Sequence, residues 1–242
     1  MAAAPLATPD LSKKLRIAET FVSIQGEGIW VGTPSMFIRV SGCNLRCVWC
    51  DTPYASWKPE GPTRTVGDLL REVEEAGVEH VVLTGGEPML FDPIVDLATA
   101  LKANGHTITI ETAGTVHRDL PCGLMSISPK LTNSIPVDDP QWKDRHDATR
   151  LDFDVLRALT ANYAFQLKFV VNPEEGDDMS EIRAILSQLP SASPTNVLLM
   201  AEGTDSETLH RRQRMLVETC IKEGWKMTPR LHVDIFGNRR GT

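Results

Sequence analysis

The sequence predicts an α/β fold with a mainly parallel sheet, arranged as a partial, open β/α barrel. Three observations carry that expectation. Short β-rich runs alternate with amphipathic helical runs almost to the C-terminus, and strand, helix, parallel strand is the repeating unit of such sheets. The helical runs open and close on capping residues. The chain has 242 residues, and a closed eightfold barrel typically takes about 250. An N-terminal tail, a cysteine-rich loop and the polar stretch Leu131 to Arg150 leave too few for closure.

The elements follow in order. Met1 to Lys14 carries alanines and prolines without a sustained apolar run, so it reads as neither signal peptide nor membrane anchor. Residues 1–15 are expected to be a flexible tail ahead of a single domain, 16–242. Strands are expected at Ala18 to Ile24, Met36 to Val40, His80 to Thr84 and Thr107 to Glu111, and again at Met125 to Ser128, Gln166 to Val171, Asn196 to Met200 and Leu231 to Ile235. Thr65 can cap a helix whose Val66, Leu69, Leu70 and Val73 share one face, with Gly77 to end it. Asp92-Pro93, then Ile94, Leu97, Ala98, Leu101 and finally Gly105, repeat that grammar. Thr204-Asp205-Ser206-Glu207 reads as a capping box opening the last long helix.

Composition narrows the class. With 41% hydrophobic and 24% charged residues and a net charge of -7, the chain fits a soluble, cytoplasmic globular protein with one sizeable core. The acidic balance argues against a nucleic-acid surface, which normally shows a basic patch. Five cysteines, an odd number without a secretory signal, point to metal or catalytic use of thiols rather than to disulfides.

Three of those cysteines, Cys43, Cys47 and Cys50, stand in eight residues as C-x3-C-x2-C. A 4Fe-4S cluster takes thiolate ligands, and three of them leave one iron open to chelate a small molecule. A structural zinc site or a ferredoxin-like carrier would need a fourth ligand, and Cys122 and Cys220 are far away in sequence. The loop follows the strand Met36 to Val40, so it falls at the strand C-termini where barrel chemistry sits.

Other motifs recur at successive strand ends. Thr84-Gly85-Gly86-Glu87-Pro88 reads either as a plain turn or as backbone opened to a ligand by glycine. Glu111-Thr112-Ala113-Gly114-Thr115 and Ser128-Pro129-Lys130 each bring polar groups to the same rim, where caps and turns are the alternative. Gln25 and Glu27 flank Gly26 just after Phe21-Val22. A carboxylate accepts paired bonds from a guanidine-like edge, such as a pterin ring presents, and an amide both donates and accepts. Arg39, in the apolar run Phe37 to Val40, needs an anion, which a substrate or a nearby Asp or Glu would supply equally well.

Read as an ordered set from about Phe21 onward, these motifs resemble the radical S-adenosylmethionine (SAM) enzymes. Ser-Ile-Gln-Gly-Glu-Gly together with Cys-Asp-Thr narrows the resemblance to the 7-carboxy-7-deazaguanine synthase family. It implies a 4Fe-4S cluster on Cys43, Cys47 and Cys50, SAM at Trp49, Cys50, Asp51, Gly86, Ser128, Pro129 and Lys130, and magnesium on Thr52. Ile24, Gln25, Gly26, Glu27, Arg39, Thr84, Glu111 and His232 would take a pterin, 6-carboxy-5,6,7,8-tetrahydropterin. The run Met200 to Gly203 would close over SAM. The family's product is 7-carboxy-7-deazaguanine, a queuosine precursor, formed with loss of ammonia after one-electron cleavage of SAM. A flavodoxin- or ferredoxin-like electron donor and a homodimer are implied as partners, with neither nucleic acid nor membrane. Some members end soon after the matching histidine, so that the chain's own carboxylate reaches substrate, whereas here the chain runs on from His232 to Thr242. Two rivals are an activase that abstracts hydrogen from a protein partner and a non-catalytic iron-sulfur or zinc module.

Overall fold

The computed structural model describes residues 8–242. In chain order the elements are β1 (Lys14–Ile24), β2 (Pro34–Val40), β3 (Thr63–Thr65), α1 (Val66–Ala76), β4 (His80–Gly85), α2 (Pro93–Ala103), β5 (Thr107–Thr112) and β6 (Leu124–Ile127). They continue with α3 (Pro140–Thr149), α4 (Phe153–Asn162), β7 (Phe165–Val171), α5 (Asp178–Ser187), β8 (Val197–Ala201), α6 (Ser206–Glu223), β9 (Lys226–Met227) and α7 (Leu231–Phe236). All the strands join one sheet in the order β3-β1-β2-β4-β5-β6-β7-β8-β9. From β2 to β9 neighbours run parallel, while β1 is antiparallel to both β2 and β3. The ends of that order are not joined, so the barrel is open, as the sequence led one to expect.

Side-chain alternation divides the strands into two faces. Met36, Ile38 and Val40 of β2, Ile108 and Ile110 of β5, and Leu167, Phe169 and Val171 of β7 all enter the main hydrophobic core. Helices cover that face through Val66, Leu69 and Val73 of α1, Ile94, Leu97 and Leu101 of α2, and Leu209 and Leu216 of α6. The intervening residues Phe37, Arg39, Glu111, Ser126, Lys168 and Val170 face a cavity instead.

The expected caps of α1 are both present. Thr65 and Asp68 form a reciprocal capping box, and Gly77 closes the helix in the left-handed region at φ 66°. At α6 the cap is Asp205 accepting from the Thr208 N–H, not Thr204 as expected. An aspartate one residue later offers a better acceptor to the free amides of the first turn.

Three further expectations are corrected. Leu231 to Ile235 forms the helix α7, not a strand: Gly237 N–H bonds to the Val233 carbonyl, and only Val233 of the alternating apolar residues is buried while Ile235 is exposed. The Leu-x-Val-x-Ile alternation mimics a strand, and so short a run is ambiguous by period alone. The tail is shorter than 15 residues, because Lys14 and Leu15 already pair with β3 and Lys13 bonds Asp96 at 2.8 Å; residues 1–7 of the expected tail lie outside the described residues. The polar stretch Leu131 to Arg150 contains α3, capped by Asp139 onto the amides of Gln141 and Trp142.

Candidate active site

The cysteine loop leaves β2 at Gly42, whose φ of 127° and N–H bond to Ala55 O at 2.7 Å turn the chain across the strand ends. Glu87 N–H bonds the Gly42 carbonyl at 2.9 Å. A Cβ on Gly86 would come within 2.1 Å of that same carbonyl oxygen, so the second glycine is required by two backbones in close approach. Glu87 is fully buried, accepting from Thr112 Oγ1, from the Ala113 N–H at 2.8 Å and from the Met89 N–H. Burial pushes its carboxyl above the usual range despite those donors. It therefore ties the end of β4 to the end of β5.

These loops and strand ends surround one open cavity. Cys43, Cys47 and Cys50 line it together, and Cys122 and Cys220 do not. Burial pushes the Cys43 and Cys47 thiols up to about 12, so a bound metal's charge must draw off their protons. Among the described residues no three His, Cys, Asp or Glu groups converge on a single-ion site. In a cluster each of the three thiolates lining this cavity would meet its own iron, whereas one zinc ion would draw four ligands to about 2.0–2.3 Å.

Trp49, Asp51, Thr52, Gly86, Ser128 and Lys130 line the same cavity, whereas Pro129 does not. Lys130 Nζ donates to both Ser128 O and Ser128 Oγ at 2.8 Å and lies 5.7 Å from the Trp49 ring centre. Thr52 Oγ1 is 3.8 Å from Cys50 Sγ. Met200 reaches the cavity, and Gly203 borders a small adjoining one beside Trp49 and Asp51.

The same cavity is also lined by Ile24, Gln25, Gly26, Glu27, Arg39, Thr84, Glu111 and His232. Gln25 Nε2 donates to Glu111 Oε1 at 3.2 Å, and Thr84 Oγ1 donates to Glu111 Oε2 at 2.9 Å. The loop after β1 and the strands β4 and β5 are thus joined by one hydrogen-bonded chain. A Cβ on Gly26 would come within 1.9 Å of His232 Nδ1, so the His232 ring can lie against this loop as it does only because position 26 is glycine. Burial lowers the His232 pKa, outweighing Glu27, whose Oε1 is 4.0 Å away. Arg39 does have the acidic neighbour that its strand position left open: its Nε donates to Glu19 Oε1 at 2.7 Å, and the Tyr54 hydroxyl joins the same oxygen at 2.6 Å. Thr242 also lines the cavity, behind Arg240, whose guanidinium sits 3.7 Å from the Tyr54 ring centre.

Two residues of the site went unnoticed in the sequence. Lys168 of β7 and Arg230, the residue before α7, are both buried, and both bind Glu27. Burial would raise the Glu27 pKa, but the two cations outweigh it and hold the carboxyl well below its usual range. The reverse applies to Lys168, which Glu27 and Glu111 keep protonated against its burial. Arg230 further donates to Gly203 O at 2.6 Å and binds Asp51. One guanidinium thereby joins the loops after β1, β2 and β8. Lys168 carried a readable signal, a charge in an apolar strand, as Arg39 did. Arg230, in Thr-Pro-Arg, carried none.

Comparison with known proteins accords with this geometry. The Radical SAM superfamily model matches residues 37–128, which hold the cysteine loop and the Gly-Gly-Glu-Pro turn. The 7-carboxy-7-deazaguanine synthase of Halobacterium salinarum is 44% identical over 236 residues, covering 93% of this chain and 91% of that protein. The chain belongs to the 7-carboxy-7-deazaguanine synthase family. The Rhodopirellula baltica synthase is 47% identical over 231 residues, covering 94% of this chain and 89% of its own. The crystal structure of QueE from Escherichia coli superposes with a TM-score of 0.68 at 26% identity, over 90% of this chain and 95% of that one. As a member of this synthase family the chain is a radical SAM enzyme of 7-deazapurine biosynthesis, and the superfamily brings a 4Fe-4S cluster and SAM as cofactors.

Proposed function

We propose that this chain converts 6-carboxy-5,6,7,8-tetrahydropterin to 7-carboxy-7-deazaguanine with loss of ammonia. The observation that carries this reading is the hydrogen-bonded set Gln25, Glu111 and Thr84, which lines one cavity together with Glu27 and three cysteines. It supplies acceptors and an amide to a pterin's donor-rich edge. Glu27 is already ionised and fixed by Lys168 and Arg230, and a carboxylate has about four acceptor sites, so room remains for a ligand.

Cys43, Cys47 and Cys50 would hold the cluster, and Trp49, Asp51, Gly86, Ser128 and Lys130, with Cys50, would place SAM. When bound, cluster and SAM supply a one-electron route to a hydrogen-abstracting radical. The chain's own residues orient the substrate and keep water from it. Gln25, Glu27, Thr84 and Glu111 would bind the ring, Ile24 and Gly26 would pack against it, and His232 would close the site from α7. Thr52 would give one oxygen to magnesium, with substrate and water completing the octahedron. A flavodoxin- or ferredoxin-like protein would deliver the electron, and the enzyme would work as a homodimer in the cytoplasm, where thiols stay reduced.

Arg39 would hold the substrate carboxylate, sharing its guanidinium with Glu19. Its five N–H donors allow both contacts. Binding of the pterin and of its analogue lacking the 6-carboxylate, each to wild type and to Arg39→Met, tests this. The expected result is weaker pterin binding by the variant, with the analogue bound alike by both. If the variant weakens the analogue as much as the pterin, Arg39 serves only its bridge to Glu19.

A further inference from the structure

Arg230 contacts two carboxylates that different ligands would use. Its Nε donates to Glu27 Oε1 at 3.1 Å, where the pterin would bind, and its Nη2 donates to Asp51 Oδ2, in the loop that would place SAM. Its Nη1 donates to the Gly203 carbonyl at 2.6 Å, and Gly203 belongs to the run after β8 that would close over SAM. Each nitrogen of one planar group thus serves a different segment. A guanidinium is rigid, so its three bonds hold fixed angles to one another. The side chain is only 7% exposed, so water competes little for those bonds.

The two carboxylates depend on it unequally. Glu27 keeps a second cation in Lys168. Asp51, whose side chain is 37% exposed, has no other hydrogen-bond or ion-pair partner for its carboxylate among the described residues. The residues on either side of Arg230 are themselves tied to the loop after β1. Gly28 N–H donates to Thr228 Oγ1 at 2.6 Å, and Leu231 N–H donates to the Gly26 carbonyl at 2.9 Å. Truncating the Arg230 side chain would therefore leave its own segment anchored to that loop, and would release Asp51 and the Gly203 carbonyl. What the guanidinium adds is the link from the loop after β1 to the other two.

We propose that Arg230 couples the two ligand sites, so that SAM and the pterin each bind more tightly when the other is present. The proposal rests on the reading of the cavity as a SAM and pterin site. A ligand that fixes either carboxylate also fixes the shared guanidinium, and with it the other carboxylate. The second ligand then has less ordering left to do. Such coupling is reciprocal, and between two sites it typically amounts to about fivefold to 150-fold in affinity. Arg230 is a positioning residue in this sense, because its effect reaches each ligand through Glu27 or Asp51.

The test is calorimetry on anaerobically cluster-loaded enzyme without a reductant, where neither ligand turns over. Titration of 6-carboxy-5,6,7,8-tetrahydropterin into wild type should show binding roughly fivefold or more tighter with SAM bound than without it. Arg230→Lys keeps the charge and loses the three-way fork, so stability should hold while that gain disappears, whichever ligand is added first. Arg230→Met should lose the gain as well. The ratio of affinities is what is read, so a variant that merely weakens one site does not imitate the effect. A full gain in either variant would mean that the fork is not the link, and no gain in wild type would mean that the sites are independent; either result overturns the proposal. Amide hydrogen exchange reads the link without the pterin. SAM should slow exchange at residues 25–28 in wild type and not in Arg230→Lys, while the cysteine loop is protected in both. Protection of 25–28 in both proteins would also overturn the proposal. Absence of pterin binding, with the SAM-induced protection of 25–28 confined to wild type, would instead overturn the reading of the substrate and leave the link standing.

Discussion

Along β7 two rows of side chains diverge from one backbone. Leu167, Phe169 and Val171 lie in the core under the helices, and Lys168 and Val170 line the cavity, with Gln166 on the same side of the strand. Both rows are largely out of water, yet for different reasons. The core row is apolar and gains by burial alone. The cavity row buries an amine and an amide, and each needs a partner: Lys168 has Glu27, and Gln166 has Ser126 Oγ at 2.7 Å and the Ile29 N–H at 2.9 Å. The difference separates residues that hold the fold from residues that the fold holds in place for a ligand.

Phe169→Ala should break the first row with the largest effect on stability. The side chain is fully buried, and such a truncation costs about 3–5 kcal/mol. Urea unfolding should register that loss, while the folded fraction binds pterin as wild type does. If pterin affinity falls in proportion to stability, the two faces are not separable.

Glu27→Gln acts on the second row. Losing one partner of a buried charged contact costs about 2–5 kcal/mol, so the pterin dissociation constant should rise well over tenfold while SAM still binds. The same change leaves Lys168 without its anion and lowers stability. Adding Lys168→Met should recover stability but not pterin affinity; recovery of both would show that Glu27 only balances Lys168. The acid limb gives a further sign. Because the folded Glu27 carboxyl titrates below its ordinary 4.5, its stabilisation is complete above that pH and is lost as pH falls beneath it. Glu27→Gln should make acid unfolding less steep.

The smallest effect is expected where thiols lie outside the cavity. Cys122 and Cys220 sit away from its lining, so replacing both with Ala should leave iron content unchanged. Loss of iron in that double variant would reassign the cluster ligands.

The two faces were not equally legible in the sequence. The strands were readable because apolar side chains recur at every second position in β2, β5 and β7, and the site because its motifs fall at successive strand ends. His232 was placed correctly in the cavity but on the wrong element, since Leu231, Val233 and Ile235 alternate as a strand would. Helix α3 escaped because its face is built from Trp142, Arg145 and His146, which form no apolar stripe. Arg230 escaped because its importance lies in three loops distant in sequence, which only the folded sheet brings to one guanidinium. The short strands β3 and β9 add three and two residues at the sheet edges, too few to show a period.

Turnover tests the function most directly. Anaerobically reconstituted protein, given SAM, magnesium, a reductant and 6-carboxy-5,6,7,8-tetrahydropterin, should release 7-carboxy-7-deazaguanine and ammonia, and Cys47→Ala should release neither. Cleavage of SAM to 5'-deoxyadenosine by wild type with no deazapurine formed would mean that the cavity serves another substrate.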